Sequence, residues 1–287
     1  MRPLEPGERV LLTDSKGRRY LITLEPGRVF HTHRGRLAHD ELLGRGEGRT
    51  VRTDLGQRLL VLRPTLADWV LKMPRGAQVI YPRVLALMVM QADIRPGLTV
   101  AEAGAGSGAL SIALLQALAP DGRLLSFELR PDFAALARAN VEGWFGKLPA
   151  AWELREDFAE RARANVEGWF GKLPATWELR VGDVVEGLAE VGEVDRVLLD
   201  LLDPWNVVAA AARALTPGGS LVAFVATVPQ VMRTVEALDR SGAFGPVETS
   251  EAVFRPWHVD GLAVRPEHRM IGHTGFLVSA RRTEPDG

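Results

Sequence analysis

The chain has 287 residues, 46% of them hydrophobic, and a formal net charge of −1. With no cysteine it can form neither disulfides nor thiolate metal sites. Its size and apolar content suit one large core with a small second domain, and the near-neutral charge argues against an unstructured nucleic-acid binder.

The charge is unevenly spread. Residues 1–75 carry 15 Lys or Arg against 9 Asp or Glu, a balance of +6, and the remainder carries 20 against 27, a balance of −7. A basic appendage on an acidic domain suits a polyanion-binding surface. It equally suits an ordinary surface in an arginine-rich protein, since only four of the 35 basic residues are lysine. The first nine residues lack the apolar centre of a secretory signal. Val84–Met90 has the length of a buried helix rather than a membrane span, so a soluble cytoplasmic protein is expected.

In chain order, short strands are predicted at Arg9–Thr13, Arg19–Thr23, Arg28–His31 and Arg58–Leu62. Gly- and Pro-containing turns punctuate them, which makes residues 1–62 a small all-β domain. His31, His33 and His39 cluster here; His31 and His33 share a strand face, but no third ligand is evident, so no metal is expected. Thr65 reads as a helix N-cap with Asp68 three residues on, and a second helix follows over 82–91. Residues 63–95 are thus a helical connector.

From 96 to 287 strands and helices alternate. Strands are predicted at 98–103, 123–128, 177–181, 194–200 and 219–225, and helices at 106–118, 132–145, 205–215 and 228–240. Two closing strands lie near 247–254 and 274–281. This pattern predicts an α/β, Rossmann-like domain with a mostly parallel seven-stranded sheet and right-handed crossovers. Ligands of such sheets bind beyond the carboxyl ends of the strands, where Gly104, Glu128, Asp183 and Asp200 all fall.

One feature interrupts the alternation. Residues 128–152 are followed by a near copy, 153–177, with 21 of 25 positions identical. Two copies cannot propagate a solenoid, so this is a tandem duplication of one crossover helix or an error in the gene sequence. Strand 177–181 should keep its place beside 123–128. The surplus, roughly 146–156 with one of the two helices, should loop out at the sheet edge. Of the paired acids, Glu128 follows the apolar run Leu124–Phe127, whereas Glu153 follows a weak strand sequence.

The chemistry concentrates in Glu102-Ala-Gly104-Ala-Gly106-Ser107-Gly108. Its glycines permit a sharp turn and close approach of a ligand between strand and helix. Glu128 at the next strand tip is where an α/β sheet holds an adenosine ribose. A nicotinamide dehydrogenase needs G-x-G-x-x-G and a clear helix N-terminus for pyrophosphate. Here the spacing is G-x-G-x-G with Glu102 just before it, which suits the phosphate-free, cationic S-adenosylmethionine. A methyltransferase reading therefore leads, with the dehydrogenase as its alternative.

The chain also resembles a known family, the bacterial tRNA adenine N1-methyltransferases that modify position 58 of the T-loop. The carriers are Gly76–Pro82, Glu102–Gly108, Asp200-Leu-Leu-Asp203-Pro204-Trp205, Gly261–Pro266 and Gly272–Leu277. The first and the last two lie outside the generic methyltransferase fold. The resemblance implies S-adenosylmethionine as cofactor, tRNA as substrate and a homotetramer. It further implies that the loop Gly104, Gly106, Ser107, Gly108, Ala109 and Leu110 cradles the cofactor's methionine part. Glu128 would take the ribose hydroxyls and Asp183 the adenine. Gln78 and Tyr81 would line the cofactor and target-base pocket. Asp200 would be the catalytic carboxylate, beside the cofactor. The family's usual Tyr-Pro-Lys-Asp is here Tyr81-Pro82-Arg83-Val84.

The role of Asp200 also has a physical basis. N1 lies on the Watson–Crick edge, so the base must be flipped out before it can attack. Methylation makes the ring cationic and its N6 proton more acidic. A carboxylate facing N6 then stabilises that charge. Asp203, just before Pro204, better fits a helix cap. Two other readings remain: adenine N6 methylation, which Asp203-Pro204-Trp205 only partly matches, and a non-catalytic tRNA-binding subunit.

Overall fold

The computed structural model describes residues 2–76, 78–145 and 176–284. The chain divides into two compact units, residues 1–72 and 73–287.

The first unit contains β1 (Arg9–Asp14), β2 (Arg19–Thr23), β3 (Val29–Thr32), β4 (Gly35–Ala38), β5 (Arg49–Arg52), β6 (Arg58–Leu62) and α1 (Leu66–Lys72). An antiparallel sheet runs in the order β2-β1-β6-β5, and β3 pairs with β4 as a separate hairpin. Alternation along β1 and β6 turns Val10, Leu12, Leu59 and Val61 into a core completed by Leu4, Leu24, Leu37 and Leu42. The expected cap of α1 is present. The Thr65 hydroxyl accepts the Asp68 amide at 3.2 Å, and Asp68 Oδ2 accepts the Thr65 amide at 3.1 Å. Strands β4 and β5 were not anticipated; at four residues each they carry too little alternation to register. Of the three histidines, His39 is buried and its Nδ1 accepts the Glu25 amide at 3.1 Å, so it is a core residue. Burial lowers its pKa, which keeps it a neutral acceptor.

The second unit begins with α2 (Pro82–Gln91) and builds its main sheet from β7 (Thr99–Ala103), β8 (Arg123–Glu128), β9 (Thr176–Val181), β10 (Val194–Asp200), β11 (Leu215–Val225), β12 (Phe244–Glu251) and β15 (Phe276–Arg282). Its seven strands run β12-β15-β11-β10-β7-β8-β9. Strands β9, β8, β7, β10 and β11 are mutually parallel, and β15 runs antiparallel to both β11 and β12. The crossover helices are α3 (Ala109–Leu118), α4 (Pro131–Phe145), α5 (Val184–Glu190), α6 (Val208–Ala214) and α7 (Val228–Ser241). Apolar strand residues such as Leu125, Phe127, Val197, Leu199 and Leu221 meet α5, α6 and α7 in a continuous core.

Three differences from the sequence reading stand out. Helix α5 was missed, although Asp183 caps it by accepting the Val185 amide at 2.7 Å. The helix expected over 205–215 is a 3-10 turn, Pro204–Asn206, followed by the shorter α6. The closing strands are joined through an unforeseen hairpin, β13 (Trp257–Asp260) with β14 (Ala263–Pro266).

The duplication enters this sheet at β9. Glu128 pairs with Val181 and Leu124 with Trp177, so β9 lies beside β8 at the sheet edge, as expected. The expected loop-out of 146–156, and Glu153 with it, falls outside the described residues.

Candidate active site

The glycine loop forms where β7 turns into α3. Gly104, Gly106 and Gly108 have φ of 83°, 54° and 83°, a region that side chains disfavour. Two of them are also enclosed. A Cβ on Gly104 would lie 2.1 Å from the Asp200 carbonyl oxygen, and one on Gly108 would lie 3.0 Å from that of Ala137. Gly106 by contrast faces open space, with only the Gly104 carbonyl oxygen within 4 Å of such a Cβ. The loop is thus pressed against β10 on one side and α4 on another, with its middle left clear for a ligand.

Glu128 closes the arrangement from the tip of β8. Its Oε2 accepts the Gly106 amide at 2.9 Å and its Oε1 accepts the Arg130 amide at 3.0 Å. Each carboxylate oxygen keeps a lone pair for a hydroxyl donor.

Asp200, the last residue of β10, is partly exposed and makes no hydrogen bond or ion pair among the described residues. Burial, and then the negative charge of Glu128, push its pKa up to about 7. A desolvated carboxylate without a partner, beside a second one, favours a cationic or hydrogen-bond-donating ligand.

Glu102 lies beneath the loop rather than facing a ligand. It is fully buried, and its Oε2 accepts the hydroxyls of Ser111 at 2.7 Å and Ser126 at 2.5 Å. Its Oε1 has no hydrogen-bond partner among the described residues. Burial outweighs the serine hydrogen bonds and pushes its pKa up to about 7. Ser126 in turn accepts Trp177 Nε1–H at 2.9 Å, which ties β9 to the loop's foundation.

The other expected site residues fall as follows. Ser107, Ala109 and Leu110 are buried, with Ser107 in the loop and the others in the first turn of α3. Asp183 starts α5 beyond the end of β9. Gln78 is exposed before α2, and the half-buried Tyr81 is the N-cap of that helix. The Arg83 guanidinium stands 5.5 Å from the Tyr81 ring centroid. No hydrogen bond links Gln78 or Tyr81 to Glu128 or Asp200 among the described residues. Asp203 occupies the N-cap position of the 3-10 turn, yet its side chain caps nothing. Asn140 was read only as part of a helical stripe. It is buried, and its Nδ2 donates to the carbonyls of Ser107 at 2.8 Å and Pro74 at 2.7 Å. A polar residue amid the apolar face of α4 was the available signal.

Two family profiles match the chain. One, described as TrmI-like N-terminal, covers residues 3–51. The other, described as tRNA methyltransferase complex GCD14 subunit, matches 58–178 and again 152–262. Those two matches overlap across 152–178, which is essentially the second repeat copy. A tRNA (adenine(58)-N(1))-methyltransferase, TrmI, of Thermus thermophilus is 38% identical over 273 residues, 95% of this chain and 96% of that protein. The chain belongs to the tRNA (adenine-58-N1)-methyltransferase family. Another relative, from Methanocaldococcus jannaschii, is a tRNA (adenine(57)-N(1)/adenine(58)-N(1))-methyltransferase, 34% identical over 94% of both chains. Among solved structures, a SAM-dependent O-methyltransferase of Thermotoga maritima superposes with a TM-score of 0.85 at 29% identity, covering 99% of this chain and 96% of that one. The tRNA (m1A58) methyltransferase TrmI of Aquifex aeolicus shares the fold, with a TM-score of 0.78 at 24% identity, covering 99% of this chain and 100% of that one. Membership makes this chain a methyltransferase by class. The dehydrogenase alternative falls with that assignment.

Among the described residues, no group of three or more His, Asp or Glu is arranged to hold a metal ion. Among the described residues no helix is long and apolar enough to cross a membrane.

Proposed function

We propose that the chain transfers the methyl group of S-adenosylmethionine to N1 of adenosine 58 in the T-loop of tRNA. The observation that carries this reading is the joining of the Gly104–Gly108 loop, Glu128 and the unpartnered Asp200 at one sheet edge, in a chain so similar to enzymes of that activity. The residues fit the cofactor. The loop leaves Gly106 open, and the site presents two carboxylates to a positively charged ligand.

S-Adenosylmethionine, when bound, supplies an electrophilic methyl group on a sulfonium. Ser107–Leu110, at the start of α3, would hold its methionine end. Glu128 takes both ribose hydroxyls while its grip on the Gly106 amide keeps loop and acid in register. Asp183, at the beginning of α5, would contact the adenine. Gln78 and Tyr81 line the cofactor and target-base pocket. Asp200 accepts the N6–H of the flipped adenine and stabilises the ring as N1 becomes alkylated. Its desolvation strengthens that interaction. The first unit binds tRNA phosphates through its excess of arginine, and the whole works as a cytoplasmic homotetramer.

The decisive experiment is incubation with unmodified tRNA and S-adenosylmethionine, followed by digestion and mapping of the methylated nucleoside. N1-methyladenosine at position 58 is the expected product. N6-methyladenosine, a ribose O-methyl product, or no methylation would each count against the proposal. Sedimentation of the purified chain tests the tetramer.

A further inference from the structure

Gln230, in the first turn of α7, serves two structures at once. Its Oε1 accepts the amides of Ala226 at 3.1 Å and Thr227 at 3.0 Å, and the Thr227 hydroxyl at 2.9 Å. The Thr227 hydroxyl in turn accepts the Gln230 amide at 3.4 Å, completing a capping box. Two backbone N–H donors can face only an oxygen, so the orientation of the amide is fixed. Its Nε2 therefore points away and donates to the Leu202 carbonyl at 2.9 Å.

Leu202 stands between Asp200 and Asp203 in the segment after β10. Its side chain is 80% exposed, so packing does not hold it in place. On the far side of the cap, His273 Nε2–H donates to the Ala226 carbonyl at 3.0 Å, and its Nδ1–H donates to Glu251 at 2.5 Å. Two acceptors require both ring nitrogens to be protonated, and these bonds raise the His273 pKa accordingly. The frame holding Gln230 is thus itself anchored to β12 and to the approach to β15.

A capping box is completed equally well by Glu or Gln. Only Gln can also donate to a carbonyl. We propose that Gln230 is a positioning residue for methyl transfer: its amide holds the Leu202 carbonyl and thereby sets where Asp200 stands. This inference rests on the assignment of Asp200 made above.

The test is Gln230→Glu in the full-length chain. The variant keeps the cap acceptor but turns a second acceptor toward the Leu202 carbonyl. We expect the thermal midpoint to stay within about 2 °C. We expect kcat to fall by about 10- to 100-fold, because small misplacements of reacting groups cost that much. The KM for S-adenosylmethionine should change by less than about threefold, since the lost interaction acts on the transition state. In an Asp200→Asn background the same substitution should add no more than about a twofold loss, because both act through one group. Gln230→Ala removes cap and tether together, so it should be less thermally stable than Gln230→Glu, which keeps the cap acceptor. An unchanged kcat in Gln230→Glu, or full multiplication of the two losses in the double variant, would overturn the proposal. Wild-type turnover in Asp200→Asn would remove the catalytic assignment of Asp200 instead, while the single Gln230→Glu measurement would still decide whether turnover depends on this amide.

Discussion

The backbone amide of Gly106 donates to Glu128 Oε2 at 2.9 Å, so the most open residue of the loop is fastened to the acid at the tip of the neighbouring strand. The acid therefore shapes the loop as well as offering its lone pairs outward. Glu128→Ala should lose both contributions and Glu128→Gln only part of each. Calorimetry with S-adenosylmethionine should show affinity falling by more than about tenfold for Ala, since hydrogen bonds to charged groups are each worth about 1.5–3 kcal/mol. Unchanged affinity would place the cofactor elsewhere.

Removing the Asp200 carboxylate should affect chemistry more than binding. Asp200→Ala should bind S-adenosylmethionine within about tenfold of wild type, while transfer falls by roughly 10²- to 10⁴-fold. Normal turnover in Asp200→Ala with loss in Asp203→Ala would mean that the roles of the two acids are reversed. A pH dependence follows from the raised pKa of about 7. Asp200 carries the negative charge that stabilises the alkylated ring only when ionised, so kcat/KM should rise with pH and level off near or above 7. Rate profiles of wild type and Asp200→Asn on the same tRNA would compare this directly, and the Asn variant should lose the rise.

Glu102 predicts a stability effect with a definite sign. Its folded pKa is raised from 4.5 to about 7, so the folded state binds the proton more tightly than the unfolded chain. The resulting stabilisation is fully present below pH 4.5 and is lost as pH rises through 7. At ~1.4 kcal/mol per unit the loss could reach a few kcal/mol. Glu102→Gln cannot ionise. It should therefore lose less stability than wild type between pH 5 and pH 8 when both are unfolded by urea. Parallel curves for the two proteins would show that Glu102 does not titrate in this range.

How much of this was legible beforehand depended on what each residue had to satisfy. The order of strands and helices around the cofactor loop could be read because Val100, Leu124, Leu125, Phe127 and Val197–Leu199 are buried within the sheet and are apolar. The glycines could be read because their backbone conformation and neighbours exclude a Cβ. Asn140 was harder, since its partners, the carbonyls of Ser107 and Pro74, are brought close only by tertiary packing, whereas the cap at Asp183 and the turn at Pro204 are local but too short to show a period. The hairpin β13–β14 was missed because its two strands have only four residues each, too short for the alternation of Trp257-His258-Val259-Asp260 to stand out, and its apolar residues Trp257, Val259, Leu262 and Val264 are exposed.

The first unit should bind tRNA mainly through phosphates. Arg34, Arg45 and Arg58 are exposed there and form no ion pair among the described residues. If six or more phosphates are neutralised, affinity should drop by about 10³ between 50 and 200 mM salt. Replacing these three arginines by Gln should weaken binding and flatten the salt slope, leaving cofactor affinity intact. Fluorescence titrations at several salt concentrations would measure both, and a salt-independent affinity would rule out this mode.

The last prediction concerns the duplication, and Trp177 decides it. This residue ends the second copy, is buried in β9, and gives its indole N–H to Ser126, which in turn donates to Glu102 beneath the loop. Deleting 153–177 joins Trp152 to Glu178 and delivers an identical tryptophan to the same position. Thr176, whose amide donates to the Gly122 carbonyl at 2.8 Å, is replaced by Ala151, which has the same backbone donor. The deletion leaves α4 untouched, so Ala134, Ala137, Asn140 and Val141 keep their places against the loop and sheet. Every described contact of the site therefore has a counterpart in the shortened chain, and 25 fewer residues have to be ordered or closed into a connection. The variant should fold, bind S-adenosylmethionine and methylate tRNA at least as well as the full chain. Glu128→Ala should weaken its cofactor binding as sharply as in the parent, whereas Glu153→Ala in the parent should have little effect. Failure of the deletion variant to bind cofactor, or a large loss in Glu153→Ala, would show that the second copy is an integral part of the site.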